Sequence, residues 1–182
     1  LCAFVSAVAD HLAGGIARHR LERVSARAME LQGKLLAVSL ALNAGNDIDE
    51  LLELIAHTAL DIAGGDHCCV EVLDDDQQFE KSYAASGSDA PGSATELRSS
   101  PLAWQAVQTG ELAIAQPGGP NGATPTGEPF VTVAVPLMLE YSPIGALSVR
   151  RRGPAPLDEG EINGLRVLAA QAAVAIHGAR LF

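Results

Sequence analysis

Two short apolar runs in the second half of the chain constrain its fold more than any other feature. They cover residues 130–139 and 144–150, and the connection between them is Glu140-Tyr141-Ser142-Pro143. Each run is rich in β-branched residues and is bounded by turn residues, which is typical of a β-strand. Because the connection is short, the two runs predict an antiparallel hairpin over residues 131–152.

The two faces of this hairpin differ in polarity. Side chains alternate between the faces of a strand, and one face of the first strand is entirely apolar: Val131, Val133, Val135, Leu137 and Leu139. The opposite face carries small or mildly polar residues: Thr132, Ala134, Pro136 and Met138, then Ile144, Ala146, Ser148 and Arg150. This second face is either covered by a loop or lines a cavity. Pro136 cannot donate a ladder hydrogen bond, so it predicts a bulge or a non-bonded position.

The chain from residue 45 onward predicts an α+β domain. Periodicity and turn residues predict helices at 48–63, 101–110 and 159–182, and further strands at 66–73, 78–85 and 112–115. Sequential antiparallel strands with helices at both ends are typical of the α+β class. Residues 116–130 are rich in Gly and Pro and predict a mobile surface loop or lid. The basic run at residues 150–152 predicts a solvated guard at a strand edge.

The hairpin also resembles a known family. Its sequence VAVPLMLEYSPIGALSV, at residues 133–149, is similar to the VPL…G(I/V)GVL hairpin of GAF domains. SPLAWQAVQTGELAIA at 100–115 resembles their middle helix and third strand, and DEGEINGLRVLAAQAAVAIHGARLF at 158–182 resembles their closing helix. The resemblance implies a GAF-like (PAS-like) antiparallel sheet of five or six strands flanked by helices. It also implies a sensory and dimerisation module of a bacterial signalling protein, such as a sensor histidine kinase of a two-component system.

The N-terminal part, residues 1–44, is predicted to be a linker and signalling helix that precedes a sensor domain at 45–182. Its apolar residues recur in alternating steps of three and four, which is a heptad seam: Leu21, Val24, Ala28, Leu31, Leu35, Val38 and Leu42. One interpretation is a parallel coiled coil that forms a homodimer through the terminal helices and transmits a signal. The other is a single amphipathic helix lying on its own domain.

Residues 8–21 align without gaps with residues 168–181 of the closing helix, and five positions are identical. Either two Ala-rich amphipathic helices are similar by chance, or residues 1–21 resemble the closing helix of a preceding GAF-like domain. The second interpretation predicts a tandem array. The chain begins at Leu1 rather than Met, so we expect it to be a segment of a longer protein.

Composition excludes several partners. The net charge of −10 argues against nucleic acid and anionic membranes. Three cysteines, two of them adjacent, do not make a disulfide framework, so a reducing cytoplasm is the expected location. Neighbouring residues of a strand point to opposite faces, so Cys68 and Cys69 cannot share a metal. Cys68 is interpreted as core filler, and a redox or ligand role for Cys69 is a hypothesis. No metal site and no catalytic residue are predicted.

The known cofactors of GAF domains find no matching residues here. Residues 86–130 contain no His for a haem ligand and no Cys for the reactive thiols of the methionine sulfoxide reductases with this fold. Residues 100–111 lack the Cys-His pair of bilin-binding relatives. Of the Asn-Lys-Phe-Asp-Glu signature for cyclic nucleotides, only Asp158 and Glu159 could match. Haem and bilin are therefore disfavoured, and the ligand class stays open.

The mildly polar face of the sheet is the predicted pocket for a small molecule. If the middle helix covers this face, Trp104 lies over a cavity lined by five residues: Cys69, Glu71, Thr132, Ala134 and Ser148. The alternative is that Trp104 simply packs in a closed core. The predicted function is a non-catalytic sensory and dimerisation domain. The alternatives are a structural dimerisation spacer without ligand and, third, a methionine sulfoxide reductase-like enzyme.

Overall fold

The computed structural model describes residues 47–87, 93–115 and 129–181. The predicted N-terminal helix, its heptad seam at 21–42 and the similarity between residues 8–21 and 168–181 involve residues outside this range. The predicted lid at 116–130 also lies outside it, apart from Pro129 and Phe130. These four features therefore stay predictions.

A five-stranded antiparallel sheet forms the centre of the domain and confirms the α+β prediction. Its strands are β1 (His67–Leu73), β2 (Phe79–Ser86), β3 (Ala113–Ala115), β4 (Phe130–Leu139) and β5 (Ser142–Arg152). The order across the sheet is β2-β1-β5-β4-β3. The described helices are α1 (Ile48–Ala63), α2 (Pro101–Thr109) and α3 (Glu159–Arg180), with a 3-10 helix at Ala94–Leu97.

The predicted helix boundaries follow from local capping. Asp47 caps α1, and Gly64 ends it in the left-handed conformation at φ 55°. Ser100 caps α2 by accepting a hydrogen bond from the Ala103 N–H, and Pro101 occupies the first helical position. Asp158 begins α3 with a capping box that the Glu161 side chain completes. In all three cases the first turn is fixed by residues adjacent in sequence, which is why periodicity and capping predicted them.

Helices cover both faces of the sheet. Helices α1 and α3 contact each other and lie on the apolar face, which includes the buried side chains of Val70, Val133 and Leu147. Helix α2 and the 3-10 helix cover the opposite face. There, Leu73 and Ala146 of the sheet pack with Ala103 and Val107 of α2. The mildly polar face predicted from alternation is thus the one beneath α2 and the 3-10 helix.

The β4–β5 hairpin is the longest pairing in the sheet. Its register shifts between Leu137 and Met138, one residue beyond Pro136, so the irregularity predicted at the proline is displaced by one position. Glu140 turns the chain with a φ of 55°. Gly145 has a packing reason, because a Cβ at this position would clash with the carbonyl oxygen of Glu71 on β1.

The interpretation of Arg150, Arg151 and Arg152 as an edge guard is wrong. They end β5, which is the central strand of the five, and each makes specific contacts. Arg150 binds Glu96 at 2.8 Å, and Arg152 binds Asp66 at 3.2 Å. Arg151 lies on the helical side and binds Glu161 at 3.0 Å. Alternation sends neighbouring side chains of a strand to opposite faces, so Arg151 lies on a different side of the sheet from Arg150 and Arg152. Three like charges in a row contain no sign of this difference.

Candidate functional site

Five of the six predicted pocket residues lie on one face of three neighbouring strands. Cys69 on β1 is opposite Ser148 on β5, and Ser148 is opposite Ala134 on β4, so these three form a row across the sheet. Glu71 lies in the next row on one side and is opposite Ala146. Thr132 lies in the next row on the other side and is opposite Arg150. We call the surface formed by the five predicted residues and Arg150 the polar face.

Trp104 has other packing partners. Its ring centroid is 4.4 Å from that of Phe79, and the rings are inclined at 47°. Both aromatic residues pack against a buried cluster of Leu73, Ala103, Val107 and Ala146. This described cluster contains none of the five other predicted residues. Trp104 therefore lies beside the polar face at its Glu71 end.

Glu71 is the most unusual residue of the polar face, because it is an acidic residue that is only 1% exposed. Its Oε1 accepts a 2.6 Å hydrogen bond from the backbone N–H of Ser99, whose Oγ lies 3.5 Å away. Ser99 presents this N–H from a backbone with a φ of 48°. Burial raises the pKa of Glu71, while the hydrogen bonds from Ser99 and the positive charge of Arg98 act to lower it. The carboxylate is thus held in place at one oxygen only.

Cys69 lies next to Glu71 on this face and is a poor nucleophile. Burial, together with the negative charge of Glu71, raises the pKa of its thiol to about 12, although Arg98 acts to lower it. A thiol with this pKa is protonated at neutral pH. Cys68, on the helical side, is also buried, and burial raises its pKa. The two cysteines therefore line opposite faces as thiols, as alternation predicted.

Several buried polar atoms of the polar face have no hydrogen-bond partner. They are Glu71 Oε2, Thr132 Oγ1, Ser148 Oγ and Arg150 Nε. Among the described residues only Gln171 Oε1, on α3, is in the same condition. Buried polar groups in folded proteins are nearly always hydrogen-bonded, so a cluster of such atoms on one surface requires an explanation. The arrangement suits a polar molecule or ordered water between the polar face and its cover.

Arg150 also lies on the polar face, although its basic run was predicted to be a solvated guard at a strand edge. Its guanidinium lies 4.3 Å from the centre of the Phe130 ring, and it binds Glu96 of the 3-10 helix. The available signal was alternation, which already placed Arg150 on the same face as Ser148. His67, which begins β1, contacts Ser86 on β2 through its Nδ1 at 2.9 Å.

The described part of the chain shows neither a metal-binding cluster nor a membrane-spanning helix. It contains no group of three or more His, Cys, Asp or Glu side chains that could hold a metal ion. None of its helices combines the length and the hydropathy needed to cross a bilayer.

The sheet and most of its covering helices lie within a stretch that one protein-family model matches. The GAF domain model matches residues 45–177, which is more than half of the chain. The chain belongs to the GAF domain family. GAF domains are regulatory, sensory modules, and the match covers every described strand. A comparison with curated protein sequences found no significant match.

Solved GAF structures share this fold. The GAF domain of an Acinetobacter phosphoenolpyruvate-protein phosphotransferase is 19% identical, with a TM-score of 0.61, covering 84% of this chain and 95% of that one. A GAF domain/HD domain protein from Geobacter sulfurreducens is 20% identical, with a TM-score of 0.57 and coverages of 78% and 99%. A domain assigned to a two-component sensor histidine kinase of Sinorhizobium meliloti 1021 is 16% identical, with a TM-score of 0.54 and coverages of 74% and 94%. At these identities the likeness concerns the fold.

Proposed function

We propose that residues 45–182 form a non-catalytic sensory GAF domain that binds a small molecule on the polar face. The observation that supports this proposal is the cluster of buried polar atoms without protein partners, led by Glu71 Oε2, Thr132 Oγ1 and Ser148 Oγ. A buried polar group without a partner costs about 1–3 kcal/mol. A bound molecule that hydrogen-bonds to these atoms would recover that free energy, and the domain would thereby respond to its presence.

The proposed relay runs through β5. Arg150 contacts the cover of the polar face, while Arg151, the next residue, reaches the helices on the other side. Arg151 donates to the Ala63 carbonyl at the end of α1 and to Glu161 in the first turn of α3. If β5 can take two alternative placements and the ligand binds one of them more tightly, ligand binding would therefore shift the ends of both helices. Residues 1–44 and the closing helix would pass this shift to an output domain, for example a histidine kinase.

Dimerisation through the terminal helices belongs to the same proposal. Two apolar side chains of the closing segment, Val174 and Leu181, are 62% and 68% exposed. They are seven residues apart and so repeat at the heptad period of a dimer seam. A homodimer through this surface and the predicted seam at 21–42 would cover them.

A structural dimerisation spacer is the second candidate. The packing of Trp104 against Phe79 and Ala146 favours it, because side chains rather than a ligand fill that end of the sheet face. The enzyme hypothesis gains no support, since Cys68 and Cys69 are buried thiols with raised pKa values. The proposed and the second function differ in one measurable property, which is the presence of a bound small molecule.

The test is mass spectrometry of small molecules released when the purified chain is denatured. We expect the wild type to release a molecule in an amount comparable to the protein, and a Thr132→Val/Ser148→Ala variant to release less. Thr58→Val is the control, because its hydroxyl is also buried but donates to the Leu54 carbonyl in α1 at 2.8 Å. Equal release from all three proteins, at background level, would contradict ligand binding and favour the spacer.

A further inference from the structure

Glu71 indicates the chemical class of the ligand. We propose that the polar face binds a small, flat nitrogen base, such as an amidine, a guanidine or a protonated N-heterocycle, whose N–H groups donate to Glu71 Oε2. This inference rests on the proposed function, since it names the ligand of the same site. Three features of the polar face support it: the carboxylate fixed at one oxygen, the small residues around it and the basic group at the far end.

The Glu71 carboxylate lacks a hydrogen-bond donor at one of its oxygens. An ionised carboxylate accepts hydrogen bonds and cannot donate them, so its free oxygen needs a donor. Oε1 of Glu71 is bound to the Ser99 N–H at 2.6 Å, a short distance typical of a charge-assisted bond to an ionised acceptor. Oε2 is buried and has no partner. A ligand with N–H groups would supply the missing donor, whereas a carboxylate or phosphate would place a second negative charge beside the first.

The polar atoms are surrounded by small apolar side chains. Ala146 lies opposite Glu71, Ala134 lies opposite Ser148, and both alanines pack against side chains of α2. Both alanines are completely buried. A ligand here would lie between the sheet and its cover, because small-molecule sites combine apolar walls with a few placed polar groups, and the close approach of α2 to the sheet favours a flat one. Ser148 is the diagonal neighbour of Glu71 across β1 and β5, and its hydroxyl can donate or accept.

The charges at the two ends of the polar face determine the orientation of the proposed ligand. The other end of the polar face is basic, because Arg150 lies there with a buried Nε that has no partner. Its guanidinium would repel a cation and would attract an acceptor substituent. The positive part of the ligand is therefore expected at Glu71. Arg98 also lowers the pKa of Glu71, but its side chain is exposed, so solvent screens its repulsion of a bound cation.

The experiment uses three probes of the same size and shape, which are benzamidine, benzamide and benzoate. Binding to the purified chain is measured by calorimetry and by the shift of the thermal unfolding temperature. We expect benzamidine to bind best and benzoate not to bind. Glu71→Gln should weaken benzamidine binding by roughly 10- to 100-fold, since a hydrogen bond to a charged group is lost, and leave benzamide binding unchanged. Glu111→Gln, an exposed carboxylate beyond α2, is the matched control and should change neither.

The other outcomes separate this inference from the proposed function. Preference for benzoate, or equal benzamidine binding by Glu71→Gln and wild type, would overturn the nitrogen-base class while leaving a ligand site. Binding of none of the probes, together with no released small molecule, would overturn both. If Glu71→Gln does not fold, the relative affinities of the wild type for the three probes still test the nitrogen-base class.

Discussion

At the scale of single residues, the polar face combines groups that a closed core would avoid. Ser148 and Thr132 are 1% and 4% exposed, yet neither hydroxyl has a partner. Alternation along β4 and β5 was enough to predict their common face, because it is a local property of strands. The contact between Glu71 and Ser99 could not be predicted, since it joins residues 28 positions apart through a backbone turn at Ser99. The partners of Trp104 likewise depend on the rotation of α2, which its short sequence leaves undefined.

Replacing Thr132 by Val tests whether its hydroxyl lacks a protein partner. In ligand-free protein we expect the free energy of unfolding to rise by about 1 kcal/mol, because an unsatisfied buried polar group is removed without a change of shape. Urea denaturation measures the change. Thr58→Val removes a hydroxyl that is hydrogen-bonded and should not stabilise the protein. Equal losses of stability in the two variants would show that Thr132 has a partner inside the protein.

The Cys69 thiol gives a prediction for pH dependence. Its folded-state pKa is about 12, above the ordinary value of 9.0, so the unfolded state loses the proton first as the pH rises. The contribution of this thiol to stability is therefore complete below pH 9 and is lost as the pH increases toward 12. The difference in unfolding free energy between the wild type and Cys69→Ala, measured by urea denaturation across this range, should change accordingly. A difference that stays constant above pH 9 would contradict the raised pKa.

At the scale of elements, the helices and hairpins were predicted within a few residues, and the position of β5 was not. The caps of α1, α2 and α3 are local signals, as is the alternation in β1 and β4. Strand order is a property of long-range pairing, and the sequence of β5 contains no sign that β1 lies on its other side. Only the central position of β5 explains why Gly145 must approach the Glu71 carbonyl and why Arg150–Arg152 are engaged.

Arg151 is expected to fix the ends of α1 and α3 to β5. It donates to the carbonyls of Ala63, Ala155 and Pro156 and to the Glu161 carboxylate. Arg151→Met keeps the apolar stem and removes these bonds, so we expect a loss of about 2–3 kcal/mol. Hydrogen exchange should also quicken in the first turn of α3.

The matched control for this variant is Arg166→Met, which removes an exposed guanidinium from the middle of α3. It should leave both stability and exchange in the first turn nearly unchanged, since exposed charges contribute little. Unchanged exchange at the start of α3 in Arg151→Met would remove the structural basis of the proposed relay through β5.

At the scale of the whole molecule, the domain is a sheet that separates two chemical environments. One face holds the polar atoms beneath α2 and the 3-10 helix, and the other is closed by α1 and α3. Alternation along the strands and the order of the elements predicted this division, and the resemblance to a family added the expectation of a sensory role. The proposed assembly of two copies involves residues 1–44, outside the described part of the chain, and rests on the heptad pattern.

The seam is tested by its two central leucines. Leu31→Lys/Leu35→Lys places charges at two neighbouring seam positions and should convert a dimer into a monomer of 18.8 kDa, as measured by light scattering. Gly33→Lys/Ala37→Lys adds the same charge away from the seam and should remain dimeric. A Leu31→Lys/Leu35→Lys protein that stays fully dimeric would exclude the coiled coil.

The two neighbouring arginines of β5, one on each side of the sheet, restrict how this domain can be rebuilt. A single inserted or deleted residue within residues 146–150 would exchange their sides, so that the guanidinium on the polar face would enter the helical layer. Chimeric sensors made by transplanting the closing segment onto another input domain should therefore be joined after Gly153, where the strand has ended. A junction inside β5 would lose the connection that Arg150 and Arg151 make between the polar face and the helices.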